Sequence, residues 1–482
     1  MAATALQLND NEEQQQITYL HDVVAKQKAA YTAAPYPSAT DRRADLDKLA
    51  AALRKYKDEL AEAVNTDFSS RSKAETMIAE IMVTLECISY NRKNLKKWMK
   101  PSRRHVSALF APASNKVHYQ PKGVVGIMVP WNYPVQLAAA PLATALASGN
   151  RAVIKMSEFT PATNAVMQRM LAEFFPEDQV AILSGEAEVG AAFSNVHWDH
   201  LIFTGSTAVA RHVMSACGKN LVPVTLELGG KSPCIITDST DIKAAAQALI
   251  FGKATNAGQT CIAPDYILCP KNKVAELKAA ITDRYQQSFP TLKDNNDYTA
   301  IINERQHMRL QGLLKDAEAK GARITQLNNA NEDFSGTRKI PLTIVENTSE
   351  DMTIMQDEIF GPLLPILTYD SLDEALNYIK KGPRPLALYL FSFNSAEQNK
   401  VLSETHAGGV TINDCLTHIA QDDMPFGGVG DSGIGAYHGK EGFVSLSHAK
   451  SVHKKGRINM GHLIHAPHDR FMHKLIYKFI IR

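Results

Sequence analysis

Cys261 stands in Asn256-Ala257-Gly258-Gln259-Thr260-Cys261-Ile262-Ala263-Pro264, among small and uncharged neighbours. A thiolate attacks carbonyl carbon readily, and small neighbours leave room for a substrate. A lone cysteine is more often a buried apolar residue, so this chemistry needs partners. Glu227, in Thr225-Leu226-Glu227-Leu228-Gly229-Gly230-Lys231, closes an apolar run beside two glycines. A carboxylate is costly to bury there without a partner or a task. It is a candidate general base for water and, equally, half of a structural ion pair. Asn132, in Pro130-Trp131-Asn132-Tyr133-Pro134, could donate its amide to a developing oxyanion, although turns often use asparagine for their own geometry.

Nucleotide signals are weaker singly. No GxGxxG follows the first strand pattern, so the usual dinucleotide fingerprint is missing. Phe203-Thr204-Gly205-Ser206-Thr207-Ala208-Val209 instead joins a strand pattern to a helix pattern that closes at Gly218. Free amides at that helix start, with Gly205 allowing close approach, suit a pyrophosphate. Lys155 and Glu158 follow another strand end and are placed for ribose hydroxyls.

The elements that must position these groups alternate. Residues 10–100 read as helices, with Leu46, Leu49, Leu53 and Leu60 at helical spacing. Residues 105–119 read as a projecting hairpin with a Pro112 turn. Strands are expected at 124–129, 152–155, 180–183, 201–204 and 222–227, with a helix opened by Thr160 and Pro161 between two of them. A second series, starting near Gly258, has strands at 266–268, 340–345 and 386–391. Its capping boxes are expected at Ser371 with Glu374 and at Ser395 with Gln398. Strand–helix alternation implies βαβ units. The expected fold is therefore α/β: two tandem doubly wound parallel-sheet domains, Rossmann-like, with a small β element.

Composition limits the partners. The chain has 482 residues, 45% hydrophobic and 21% charged, with net charge +2, giving no reason to expect nucleic acid. Six cysteines without CxxC pairs argue against a zinc site and a disulfide framework, and for a reducing, cytoplasmic setting. No secretory signal is visible at the N-terminus. Residues 124–147 carry no formal charge, but Pro130, Pro134 and Pro141 fit a strand, turn and helix rather than a membrane span.

Seven motifs in order resemble the aldehyde dehydrogenase superfamily over about residues 20–455: Pro130-Trp131-Asn132-Tyr133-Pro134, Lys155-Met156-Ser157-Glu158, Phe203-Thr204-Gly205-Ser206-Thr207, Leu226-Glu227-Leu228-Gly229-Gly230-Lys231, Gly258-Gln259-Thr260-Cys261, Glu358-Ile359-Phe360-Gly361-Pro362 and Pro425-Phe426-Gly427-Gly428-Val429-Gly430. The resemblance implies Cys261 as nucleophile, Glu227 as general base and Asn132 as oxyanion donor. It implies NAD or NADP as cofactor, held by Lys155, Glu158, Gly205, Ser206, Glu358 and Phe360 with Trp131 beside them, and no metal. Glu227 argues against relatives that pass the acyl group to coenzyme A. Met156 replaces a frequent proline and Ala210 a frequent glycine; Glu158 disfavours a 2′-phosphate without excluding NADP.

A single Cys261 and Asn413-Asp414…His418 resemble the class 3 and fatty-aldehyde group, and several segments look closest to coniferyl aldehyde dehydrogenases. The implied substrate is an aromatic or α,β-unsaturated aldehyde, with medium- or long-chain aliphatic aldehydes as the alternative. By the same resemblance, residues 1–104 and 120–228 form the cofactor domain and 229–408 the catalytic domain. Residues 105–119 and 409–455 form a dimer-building element and active-site wall. Residues 456–482 form a tail whose apolar positions and Lys474, Lys478 and Arg482 share helical spacing. Contact with an anionic membrane surface is one use of such a helix; packing over the body or a neighbouring subunit is the favoured expectation.

Overall fold

A computed structural model describes residues 10–457 and 461–481. Helices Asp10–Ala33, Ala39–Phe68 and Val83–Trp98 fill the N-terminal region. The leucines at 46, 49, 53 and 60 turn inward and are completely buried against the first sheet and its helices. The helix Pro161–Phe174 opens at Thr160, as its proline predicts, but the Thr160 side chain does not cap it. Asp67, from the end of a remote helix, accepts the Ala162 and Thr163 amides at 2.9 Å each.

The first sheet has six strands in the spatial order Gly433–Ile434, Val224–Glu227, His200–Thr204, Val124–Met128, Arg151–Lys155 and Val180–Leu183. All pairs are parallel except the short outermost one. Its register aligns Lys155 with Met128, Met128 with Phe203, and Thr204 with Glu227. Lys155, Met128 and Phe203 therefore form one row at the C-terminal edge, with Thr204 and Glu227 one residue beyond it, where open α/β sheets bind their ligands.

The second sheet has seven strands, in the order Arg323–Gln326, Thr343–Glu346, Leu363–Tyr369, Tyr266–Pro270, Pro233–Ile236, Ala387–Phe391 and Gly409–Ile412. It begins at Pro233, before the expected start near Gly258, because the CII run is short and lacks alternation. Gly409–Ile412 pairs with Ala387–Phe391 and belongs to this sheet, not to the separate element expected from residue 409. Ser371 caps its helix, but Glu374 accepts from Asp370, so the reciprocal box is not made. At the other expected box, Asn394 is the cap and Ser395 is already helical.

A third, antiparallel sheet joins Ser102–Arg104, Ala113–Pro121 and Ser447–Lys455. The hairpin expected at 105–119 thus starts earlier, and its long partner is the distant strand after 446. Residues 124–147 form a strand, a turn and the buried helix Gln136–Ala147. Among the described residues no helix is long and apolar enough to cross a membrane. The helix Phe471–Ile480 forms as the spacing predicts, but it does not pack its apolar face on the body: Phe471 and Phe479 are 77% and 66% exposed.

Candidate active site

Only five residues separate Glu227, at the C-terminal end of one strand, from Pro233, which starts the next sheet. The link sets the C-terminal edge of the first sheet against the N-terminal edge of the second. Chemistry-bearing residues of the first sheet accordingly follow their strands. Those of the second, Cys261 and Glu358, precede theirs at Tyr266 and Leu363.

Cys261 is presented by a backbone of unusual hand. Asn256, Ala257 and Gly258 have φ of 50°, 49° and 72°, three successive left-handed residues. Only glycine fits the third, since a Cβ on Gly258 would lie 2.5 Å from the Gly361 carbonyl oxygen. The Gln259 amide then pins the loop, donating to Asn256 and Ala300 carbonyls at 3.0 and 3.1 Å and accepting the Ile302 amide at 3.0 Å.

Asn132 lies against the same loop. Its Nδ2 donates to the Gln259 carbonyl at 3.2 Å, which uses one of its two N–H bonds. Its own carbonyl accepts from Arg71 at 3.0 Å and from Asn256 at 3.1 Å. Burial, with the Glu358 and Glu227 carboxylates nearby, pushes the Cys261 thiol up to about 12, while its own amide and that of Ile262 pull the other way. Glu227 is buried, neither carboxylate oxygen has a hydrogen-bond partner among the described residues, and burial holds it well above the usual carboxylate range. Glu358 is pushed up to about 8 by burial and by Asp265, against the Gly230 amide, Lys231 and Arg309. Gly229 makes room for it: a Cβ there would sit 2.2 Å from both Glu358 oxygens.

The predicted cofactor residues fall into two groups. Trp131, Lys155, Glu158, Gly205 and Ser206 line one cleft of about 710 Å³. In it Lys155 pairs with Glu158 at 3.6 Å and Ser206 caps the helix Thr207–Lys219 through the Val209 amide. Glu358 and Phe360 lie toward Cys261, with the Phe360 ring edge-on to Trp131 at 5.2 Å. The donor set fits a dinucleotide: apolar walls at Met128, Phe203 and Val213, a helix N-terminus and a buried lysine. Among the described residues no group of three His, Cys, Asp or Glu side chains is placed to hold a metal.

The chain belongs to the aldehyde dehydrogenase family. The family's sequence pattern matches residues 12–452. A probable coniferyl aldehyde dehydrogenase of Pseudomonas aeruginosa is 53% identical over 97% of this chain and 98% of its own. The coniferyl aldehyde dehydrogenase of a Pseudomonas species is 45% identical over 90% and 91%. A dimeric, NADP-preferring aldehyde dehydrogenase of Canis lupus familiaris is 34% identical over 90% and 94%. Among solved structures, substrate-bound AldH of Staphylococcus aureus superimposes with a TM-score of 0.90 at 38% identity, covering 95% of this chain and 99% of its own. A Mycobacterium tuberculosis aldehyde dehydrogenase complexed with NAD+ gives 0.80 at 29% identity, covering 89% and 88%. The fold is therefore the two-domain α/β fold expected, and the protein is an NAD(P)-dependent oxidoreductase of this family.

Sequence reasoning missed the groups that hold the site in place. Arg71 and Glu80, both with fully buried side chains, pair at 3.0 Å, and Glu80 also accepts the Val135 and Gln136 amides at 2.7 and 3.1 Å. The pair therefore fixes the Asn132 turn and starts the following helix. A charged residue inside the apolar run Met77–Met82 was the only visible signal. Lys231 pairs with Asp265 and donates to the Ile354 and Asp357 carbonyls at 2.7 and 2.9 Å, holding the segment that carries Glu358. Tyr437, from the distant C-terminal region, is fully buried, and its hydroxyl is held well above its usual range by burial and by the nearby Glu227 and Cys261 charges.

Proposed function

We propose that this protein oxidises an aromatic or α,β-unsaturated aldehyde, of the coniferyl aldehyde type, to the carboxylic acid through a thioester on Cys261. The observation that carries the reading is the meeting of one thiol, one unpartnered buried carboxylate and one half-used amide at the facing sheet edges. Cys261 gives up its thiol proton to solvent, its sulfur attacks the carbonyl carbon, and the oxyanion so formed accepts the second N–H of Asn132 and the Cys261 amide. A bound NAD or NADP supplies the hydride acceptor. Lys155 and Glu158 hold its ribose, Gly205 and Ser206 its pyrophosphate, and Glu358, Phe360 and Trp131 its nicotinamide end. Glu227 removes a proton from water, which attacks the thioester and frees the acid. Deprotonating this water-starved carboxyl requires a higher pH than an ordinary glutamate needs.

The similarity to two coniferyl aldehyde dehydrogenases supports the substrate class. A steady-state screen of aromatic, cinnamyl and straight-chain aldehydes with NAD and NADP tests it. Cinnamyl aldehydes should give the highest kcat/KM; equal values on aliphatic chains overturn the substrate class and leave the enzyme class standing. Residues 1–104 with 120–228, and 229–408, serve as cofactor and catalytic domains in this reading. The protein is inferred to work as a homodimer in the cytoplasm, built through the open edge of the strand Ser447–Lys455, in keeping with its six free cysteines. Light scattering checks the dimer.

A further inference from the structure

The charge of this chain is unevenly spread. Residues 102–121 and 447–482 hold eleven Lys and Arg against one acidic residue, Asp469, leaving forty-one against forty-nine elsewhere. A nearly neutral protein thus carries a cationic module on an anionic body. Such asymmetry points to an anionic partner surface.

The three-stranded sheet orders part of this charge. Its register places Arg103, Lys116 and Val452 in one cross-strand row. Alternation along the strand adds Lys450 and Lys454 to the same face. All four cations are exposed. Chain direction then leads from that strand to the helix Phe471–Ile480, preceded by Arg470.

This helix has no acidic residue. Lys474 and Lys478 are exposed and lie, at helical spacing, beside an arc formed by Phe471, Leu475, Phe479 and Ile480. Phe479 and Ile480 are each 66% exposed, although such residues normally find cover. Its other side is occupied locally, where His473 stacks with Tyr477 and meets His468 edge-on.

We propose that the basic sheet face and the helix Phe471–Ile480 dock this protein on an anionic lipid surface. Bulky apolar side chains flanked by lysines, with no acidic residue in the helix, are the composition of a helix lying in a lipid interface. The long-range attraction comes from the lysines and arginines, and insertion from the phenylalanines. A groove on a second copy would explain the apolar arc but gives no use to four cations on a separate sheet. Dimerisation through the strand edge leaves the sheet face free.

Flotation of the full-length protein with phosphatidylcholine vesicles, and with the same vesicles containing phosphatidylglycerol, tests the proposal. Binding is expected only to the second kind and should weaken as salt is raised. Lys474→Gln with Lys478→Gln should lower the partition coefficient roughly 25-fold, at about fivefold per lysine near the surface. Phe479→Ser with Ile480→Ser should lower it about tenfold or more. Arg103→Gln with Lys450→Gln should weaken it as well, and every variant should keep wild-type aldehyde oxidation in solution. Failure of the full chain to float with anionic vesicles overturns the proposal, as does flotation unchanged by the helix variants. If vesicles are ignored and Phe479→Ser with Ile480→Ser halves the particle mass, the helix belongs on a neighbouring copy instead.

Discussion

Glu80 and Glu227 are both buried glutamates of one active-site region, and they differ in almost everything else. Glu80 has Arg71 at 3.0 Å and its Oε2 accepts the Val135 and Gln136 amides, so its charge is countered and held in place even though burial raises its carboxyl. Glu227 has no hydrogen-bond partner on either oxygen among the described residues. A paired buried carboxylate builds architecture; an unpaired one costs stability and persists where a reaction needs it. The contrast separates the groups that shape this site from those that act in it.

The sharpest break of that contrast is to remove the atom that Glu227 serves. Cys261→Ser should lower kcat by roughly 10⁴-fold or more, as expected for loss of a nucleophile, with the fold intact by circular dichroism. Retained turnover would show that the thiol is not the nucleophile. Next, Glu227→Gln should cut turnover by about 10²–10⁴-fold, the usual scale for a lost general base, while the thiol still reacts. Mass spectrometry of that variant should then find the acyl group retained on Cys261. Glu80→Gln should behave in the opposite way. Leaving Arg71 buried with only Glu75, at 3.4 Å, as counter-charge should cost up to about 3–5 kcal/mol, seen as a fall in Tm, with no acyl-enzyme accumulating. If both variants accumulated acyl-enzyme, the distinction would fail.

Acid–base linkage sharpens the comparison. Glu358 is raised from 4.5 to about 8 by burial, so the folded state prefers it protonated. Its stabilising share is complete below pH 4.5 and is lost as pH rises through about 8. Glu227 shifts in the same direction for the same reason. Glu358→Gln should therefore raise Tm relative to wild type at pH 8 and leave it nearly unchanged at pH 4. A Tm difference independent of pH would argue that Glu358 is paired in solution. The smallest effect is expected at the cofactor cleft. Glu158→Gln should tighten NADP+ binding about fivefold, corresponding to ~1 kcal/mol between unit charges in a solvated setting, read by calorimetry without turnover.

Much of the fold was legible because parallel strands buried on both faces leave continuous apolar runs. Val180–Leu183 falls where the pattern put it, and Val124–Met128 within a residue. Pro233–Ile236 and Gly409–Ile412 were not read, since four residues carry too little periodicity. Cys261, Glu227 and Asn132 were found through their motifs, and the structure brings them to facing sheet edges. Arg71 and Glu80 were invisible because a pair nine residues apart is meaningful only through its contact with residues 132–136. Loss of partners is equally hidden: nothing in TLELGG says that Glu227 is unbonded.

The backward-handed stretch ahead of Cys261 predicts a lopsided tolerance to change. Asn256 and Ala257 hold a shape that costs side-chain-bearing residues about 1–3 kcal/mol. Swapping Ala257 for glycine should make the protein harder to melt, yet let the sulfur wander, whereas Asn256 is held by its buried amide, which donates to the Asn132 and Gln259 carbonyls at 3.1 Å each. The neighbouring glycine has no such freedom, because a methyl group there meets a peptide oxygen. Directed evolution for heat resistance would therefore find its easy gain at Ala257, at a cost in catalytic speed.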